Sequence, residues 1–327
     1  MDEFETIARL FAPLSRGEPG AFGLTDDAAA LAPAPGCDFV LTKDAIVAGV
    51  HFFADDPPEA VAAKLMRVNL SDLAAKGARP RACLLAAGFS PAAGPAWVEG
   101  FAAGLAADVA AFGLTLIGGD TVSTSGPAWF SLTAIGEVPT GTMIRRAGAR
   151  AGDLVCVSGT IGDAALYVAG RLKGRAVGDL SAFEGRYRLP TPRLDLGASL
   201  RGLAHACCDI SDGLVADLGH LCEQSGLAAV VEAGRVPLSA AAAAAVAADP
   251  GLIETVLTGG DDYELVFALA PEDLAKLAGQ GGTAIGRFEQ GQGVRAIDPA
   301  GSPLTLGRGG WRHDVGGPDP KSGVVGS

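Results

Sequence analysis

The sequence predicts an α/β protein of two domains, and three observations carry that expectation. At 327 residues the chain exceeds what one small core holds and suits two domains. Strand-like and helix-like runs follow one another repeatedly, an order that indicates α/β or α+β and not a helix bundle. Hydrophobic residues reach 49% but aromatics only 6%, much of the difference being alanine, a helix former.

MDEFETIARLFAPL is amphipathic and predicts a helix to about Leu14, followed by a Gly/Pro-bearing loop. Asp38 to Val50 reads as a strand with polar residues near its end. Pro57 and Pro58 open a helix that stops at Gly77, with Pro80 just beyond. RACLLAAGFS predicts a strand, Pro95 to Phe112 an alanine-rich helix, and LTLIGG and WFSLTAIGEV two more strands. The polar run Arg145 to Asp153 marks the boundary between domains 1–148 and 149–315. Beyond it, LVCVSG predicts a strand, with a helix from about Asp163. HACCDISDGLVADLGHLCEQSG reads as strand, turn, helix, and ADPGLIETVLTGGDDYELVFAL as short helix, Gly-Gly loop, strand. Ala240 to Ala248 is a simple helix former, and residues 316–327 read as a flexible tail.

Charge narrows the function. A net charge of −12 argues against nucleic acid as a partner, since phosphate binding needs a basic surface. The acidic N-terminus does not resemble a signal peptide, and no uninterrupted apolar run has membrane-spanning length. A cytoplasmic protein without a membrane partner is expected. The six cysteines form no C-x-x-C pair and read as buried reduced thiols.

Acidic residues recur beside small or turn-forming residues at six stations: Asp26-Asp27, Asp44, Asp72, Asp120, Asp209 with Asp212, and Asp261-Asp262. Four of these follow strand-like runs. A carboxylate there is costly unless it binds a cation, accepts backbone N–H groups or faces solvent. Mg²⁺ prefers such oxygens and keeps phosphates as further ligands. Taken singly, each station has a plainer reading. Asp209, Ser211 or Asp212 suits a helix cap, Asp72 a solvated helix face, and Asp120 a turn. Walker, dinucleotide-binding and protein-kinase signatures are absent, so an ATP enzyme here relies on metal, Gly-rich backbone and an arginine.

TDDAA, TKDAIVAGVHF, NLSDLAAKGARP, GGDT, RAGARAGDLVCVSG, DISDGLVADL and GGDDYEL occur in that order across nearly the whole chain. This set resembles the thiamine-monophosphate kinase family, within the superfamily that includes aminoimidazole ribonucleotide synthetase. The resemblance implies a two-domain aminoimidazole ribonucleotide synthetase-like architecture, with mixed sheets and flanking helices. It implies an N-terminal ATP/Mg-binding domain that also pairs into a homodimer. The implied activity is direct in-line transfer of the ATP γ-phosphoryl group to thiamine monophosphate, giving thiamine diphosphate. Carried over by motif, Asp27, Thr42, Asp44, Asp72, Asp120, Asp209 and Asp212 would hold several Mg²⁺ ions. Gly119, Asp120, Arg146 and Ser211 would contact ATP, and His51, Asp261 and Trp311 the thiamine moiety. Asp44, Asp120, Arg146 and Asp212 would carry the catalysis.

Three positions depart from the family pattern: Thr25 stands for glycine, Lys43 for Thr or Ser, and Asp261 for glutamate. The alternatives are another enzyme of the superfamily, aminoimidazole ribonucleotide synthetase-like, or a non-catalytic nucleotide- or metal-binding protein. Retention of the expected aspartates weighs against the latter.

Overall fold

A computed structural model describes residues 3–277, 279–307 and 310. Trp311 and the expected tail at 316–327 lie outside these residues. The chain divides into two compact units: residues 3–73 with Ala78–Gly141, and Ala74–Gly77 with residues 142–310.

The N-terminal helix is shorter than its amphipathic pattern predicts. α1 spans only Glu3–Thr6, then winds into a π-helical turn at Ile7–Phe11 and a 3₁₀ turn at Ala12–Ser15. Pro13 explains the stop, since it lacks an N–H and its ring crowds the preceding turn.

The first unit is built on β1 (Cys37–Val47), β2 (Arg79–Phe89), β3 (Leu116–Ser123) and β4 (Trp129–Pro139), ordered β1-β4-β2-β3. β4 runs antiparallel to both β1 and β2, while β3 lies parallel to β2. β1 and β3 are therefore the two edges. α2 (Pro58–Ala75) is buried almost all round, as an apolar helix inside a core must be. α3 (Pro95–Phe112) approaches it so closely that a Cβ on Gly104 would come within 2.4 Å of the Glu59 carbonyl oxygen. Phe101 on α3 stacks on Phe130 of β4 at 4.3 Å between ring centroids, and Phe89 and Trp97 close the cluster. Ala21, Leu24 and Leu31 pack with Ala82, Ile117 and Ile135 in a second apolar cluster.

The second unit holds β5 (Leu154–Ser158), β6 (Ala204–Asp209), β7 (Ala228–Glu232), β8 (Leu265–Leu269), β9 (Gly282–Glu289) and β10 (Gly293–Ile297). Their order is β10-β7-β9-β5-β8-β6, antiparallel except for the β10-β7 pair. Helices α4 (Asp163–Lys173), α5 (Ser181–Arg188), α6 (Leu194–Leu200), α7 (Leu214–Ser225), α8 (Ala240–Ala248) and α9 (Leu252–Thr258) accompany it. α7 buries Leu214, Leu218 and Leu221 on one stripe, the spacing that lays a helix against a sheet. Cys156, Cys207, Leu265 and Phe267 form the core with Leu196 and Leu200 of α6. Burial pushes the Cys83, Cys156 and Cys207 thiols up to about 12, so they act as small apolar side chains. Among the described residues no helix is long and apolar enough to cross a membrane.

Phe130 is fully buried at the centre of the aromatic cluster. Phe130→Ala should cost about 3–5 kcal/mol of stability, read as a lowered urea midpoint with an unchanged slope.

Candidate active site

On β1 the period-two alternation puts Val40, Thr42, Asp44 and Ile46 on one face and Leu41, Lys43 and Ala45 on the other. Thr42 Oγ1 donates to Asp72 Oδ2 from α2, which fixes both side chains. The Asp44 amide donates to Asn69 Oδ1 at 3.0 Å, and fully buried Asn69 donates in turn to the Leu65 carbonyl at 2.9 Å. Ser131 Oγ holds the Asp44 carbonyl at 3.0 Å. The Asp44 backbone is thus held at both its amide and its carbonyl. Burial, with the charge of Asp72 added, raises its carboxyl from 3.8 to about 6. Lys43 points to the opposite face of the strand. Asp72 is half-buried and bonded to Thr42, not displayed on a solvated helix face.

After β1 the chain turns at Gly49, whose φ of +81° suits glycine, and His51 closes the turn. The Val47 amide donates to His51 Nδ1 at 3.1 Å. An amide can only donate, so the proton of the neutral ring sits on Nε2. Buried Lys64 donates to the His51 carbonyl at 3.0 Å.

Gly119 and Asp120 lie inside β3, beside Leu85 and Ala86 of β2, so the strand continues through the segment that alone suggests a turn. At Gly119 a Cβ would meet the Leu85 carbonyl oxygen at 1.8 Å, which only glycine avoids. Asp120 is exposed on this edge strand, three strand spacings from β1, or roughly 14 Å. Within one copy, Thr42, Asp44 and Asp72 come together and Asp120 stands apart from them. Asp27 is exposed in the loop past a 3₁₀ turn, and its amide donates to Asp26 Oδ1 at 2.8 Å.

In the second unit, Asp209 ends β6 and is buried, with Ser211 and Asp212 in the loop that follows. Asp217, in the first turn of α7, gathers this loop. Its Oδ2 accepts the amides of Ser211, Asp212 and Gly213 at 3.0, 2.9 and 3.1 Å. Burial and the charge of Asp212 raise the Asp217 carboxyl to about 7, against the pull of those three donors. Asp212, Asp217 and His220 offer ligand atoms within 4.8 Å of one another. The Asp261 amide donates to the Ser211 carbonyl at 2.9 Å and that of Tyr263 to Ile210 at 2.8 Å, so the Gly-Gly loop lies along the same turn. Asp261 adopts φ +70° and accepts the Tyr263 hydroxyl at 3.1 Å. Arg146 is exposed, in a segment tied to β6 by the bond from the Cys207 amide to the Arg145 carbonyl at 2.9 Å.

Two further acids belong to this loop: Asp262, from the Asp261-Asp262 station, and Glu264, which was not anticipated. Asp262 Oδ1 accepts the Gly162 amide at 2.8 Å, while its buried Oδ2 has no partner among the described residues. Burial holds its carboxyl well above the usual range. Fully buried Glu264 binds Arg186 at 2.6 Å, Arg193 in a two-pronged pair, and the Ser158 hydroxyl. An acid directly before an apolar strand was the available signal for Glu264.

The fold and the acidic edges define an AIR synthase-like protein. Residues 25–138 match the AIR synthase related protein, N-terminal domain, and residues 150–299 the corresponding C-terminal domain. The thiamine-monophosphate kinase of Caulobacter vibrioides is 46% identical over 320 residues, 95% of this chain and 90% of that protein. The thiamine-monophosphate kinase structure from Stenotrophomonas maltophilia is 38% identical with a TM-score of 0.80, covering 90% of this chain and 98% of that one. A complex of AaThiL with AMPPCP and TMP is 31% identical with a TM-score of 0.77, covering 91% and 98%. The chain belongs to the AIR synthase related family and, within it, to the thiamine-monophosphate kinases.

The raised carboxyl of Asp44 has a consequence for stability. The unfolded chain releases this proton near 3.8 and the folded chain only near 6, so folding stability falls as pH rises through that window. Asp44→Asn removes the penalty. In metal-free buffer the variant should melt above the parent at pH 7.5, with the gap closing as pH falls toward 4. A gap that ignores pH, measured by thermal melts across the range, would contradict the assignment.

Proposed function

We propose that this chain transfers the γ-phosphoryl group of ATP to thiamine monophosphate, giving thiamine diphosphate and ADP in thiamine diphosphate biosynthesis. The observation that carries the reading is the near full-length match to a thiamine-monophosphate kinase by a chain that keeps the acidic stations. The AaThiL complex with an ATP analogue and TMP supports the pair of substrates.

The donor set suits Mg²⁺. Thr42, Asp44 and Asp72 present oxygens only, and burial, with the nearby Asp72 charge added, holds Asp44 up in the way a cation would relieve. These residues, with Asp27, Asp120, Asp209 and Asp212, would hold the ions. Bound Mg²⁺ supplies charge neutralisation between two phosphate-bearing anions. Arg146, Gly119 and Ser211 are assigned to the nucleotide. His51, with its proton on Nε2, offers the substrate a donor, and Asp261 a carboxylate. Trp311, outside the described residues, keeps its assignment to the thiazolium from motif alone.

The acceptor is already ionised at neutral pH. A phosphate oxygen of thiamine monophosphate forms the new P–O bond as the bond to the ADP oxygen breaks, and no proton has to be removed. The residues therefore orient and neutralise, without nucleophilic or general-base duty.

A homodimer through the N-terminal domain, residues 1–148, is part of this reading. Asp44 and Asp120 sit on opposite edges of one sheet, too far apart for one ion, and a second copy bringing its β3 to β1 would unite them. A cytoplasmic setting fits six cysteines that are all free.

Purified protein with Mg-ATP and thiamine monophosphate should release thiamine diphosphate and ADP in equal amounts. Inorganic phosphate without thiamine diphosphate would overturn the assignment. Asp44→Asn and Asp120→Asn should each abolish turnover, and mixing them after reversible dissociation should restore about a quarter of the parent rate, the share of intact sites in random heterodimers. No recovery from mixed dimers would remove the shared-site argument.

A further inference from the structure

We propose that Asp217 is the positioning residue of the nucleotide-and-metal loop: it holds Ser211 and Asp212 in place without itself binding substrate. The inference rests on the reading that Ser211 faces nucleotide and Asp212 metal.

Three successive amides, those of Ser211, Asp212 and Gly213, converge on one carboxylate oxygen at 2.9–3.1 Å. Consecutive amides point the same way only when the backbone curls tightly. Gly213 permits the curl, with φ +119° and so little room that a Cβ would lie 2.7 Å from the Thr258 carbonyl oxygen. The outer side of the loop is fixed as well. The Ser211 carbonyl takes the Asp261 amide and the Ile210 carbonyl that of Tyr263, while Gly260 passes so near that its Cβ would meet the Ser211 oxygen at 2.1 Å. The loop thus has a carboxylate on its inner side and a second loop on its outer side.

Asp217 is only 2% exposed, and the occupied oxygen already accepts three donors. A cation at that oxygen would have to displace those amides. Of Asp212, Asp217 and His220, Asp212 is then the half-buried ligand and Asp217 its buried support through Oδ2. Losing the carboxylate frees Ser211, whose carbonyl anchors Asp261, so disorder in the nucleotide loop passes to the substrate loop by one peptide.

The test compares the parent with Asp217→Ala, Asp217→Asn and, as a control on the underlying reading, Asp212→Asn. Asp217→Ala should lower kcat/KM for Mg-ATP by about 10- to 100-fold and raise the Mg²⁺ concentration for half-maximal rate, with a smaller effect on the KM for thiamine monophosphate. Asp217→Asn keeps an acceptor oxygen in place and should recover most of the loss. In ¹H–¹⁵N spectra the amide protons of Ser211, Asp212 and Gly213 should move upfield in both variants. Parent-like kinetics for Asp217→Ala beside an inactive Asp212→Asn would overturn the inference while leaving the site reading intact. A fully active Asp212→Asn would bring down the site reading, and the inference with it. If Asp217→Ala does not fold, the spectrum of Asp217→Asn decides: unmoved amides at 211–213 overturn the proposal.

Discussion

A buried carboxylate needs donors or a cation, and that requirement organises this chain. Glu264 is satisfied by two guanidinium groups and a hydroxyl. Asp217 is satisfied by three amides of one turn. Among the described residues no group donates to the Asp44 carboxyl: burial and Asp72 raise it to about 6, and Thr42 serves Asp72 instead. The first two acids are structural, closing turns at the ends of β8 and β6. The third is left in the condition that a hard cation corrects. Charge that is settled internally builds the scaffold, and charge that is not settled is available for chemistry.

Much of this was legible in the sequence because it depends on local pattern. VLTKDAIV alternates, so β1 and the shared face of Thr42 and Asp44 follow directly from period two. DISDGL read correctly as strand end and turn. Long-range pairing was not legible. Asp120 resembles a turn residue until β2 extends β3 past Gly119, and that pairing belongs to the fold, not to LIGGDT itself. Asp217 was written in the motif DISDGLVADL, yet nothing in the spacing says that three amides will converge on it. That depends on a curl set by Gly213 and by the loop behind it. β7, β9 and β10, and the short α5 and α6, were not anticipated, since short segments of little periodicity carry weak signals.

The sheet of the first unit leaves two long edges open, and open edges invite pairing. β1 also exposes Leu41, and β3 exposes Val122. The same edges carry Asp44 and Asp120. If the edges meet in a second copy, apolar exposure, unsatisfied backbone and divided acids are resolved by one contact. In that reading the contact that assembles the pair also completes the set of acids.

The three departures from the family pattern become intelligible once the backbone is considered. Lys43 is harmless because alternation sends it to the face away from Thr42 and Asp44. Thr25 holds φ −113°, which needs no glycine; the left-handed conformations fall on Phe22 and Leu24 instead. Asp261 sits at φ +70°, a region that aspartate enters more readily than glutamate. Its shorter side chain is caught by the Tyr263 hydroxyl, itself on a residue at φ +51°. The lost methylene thus has a local rationale: the loop trades reach for a backbone it can hold.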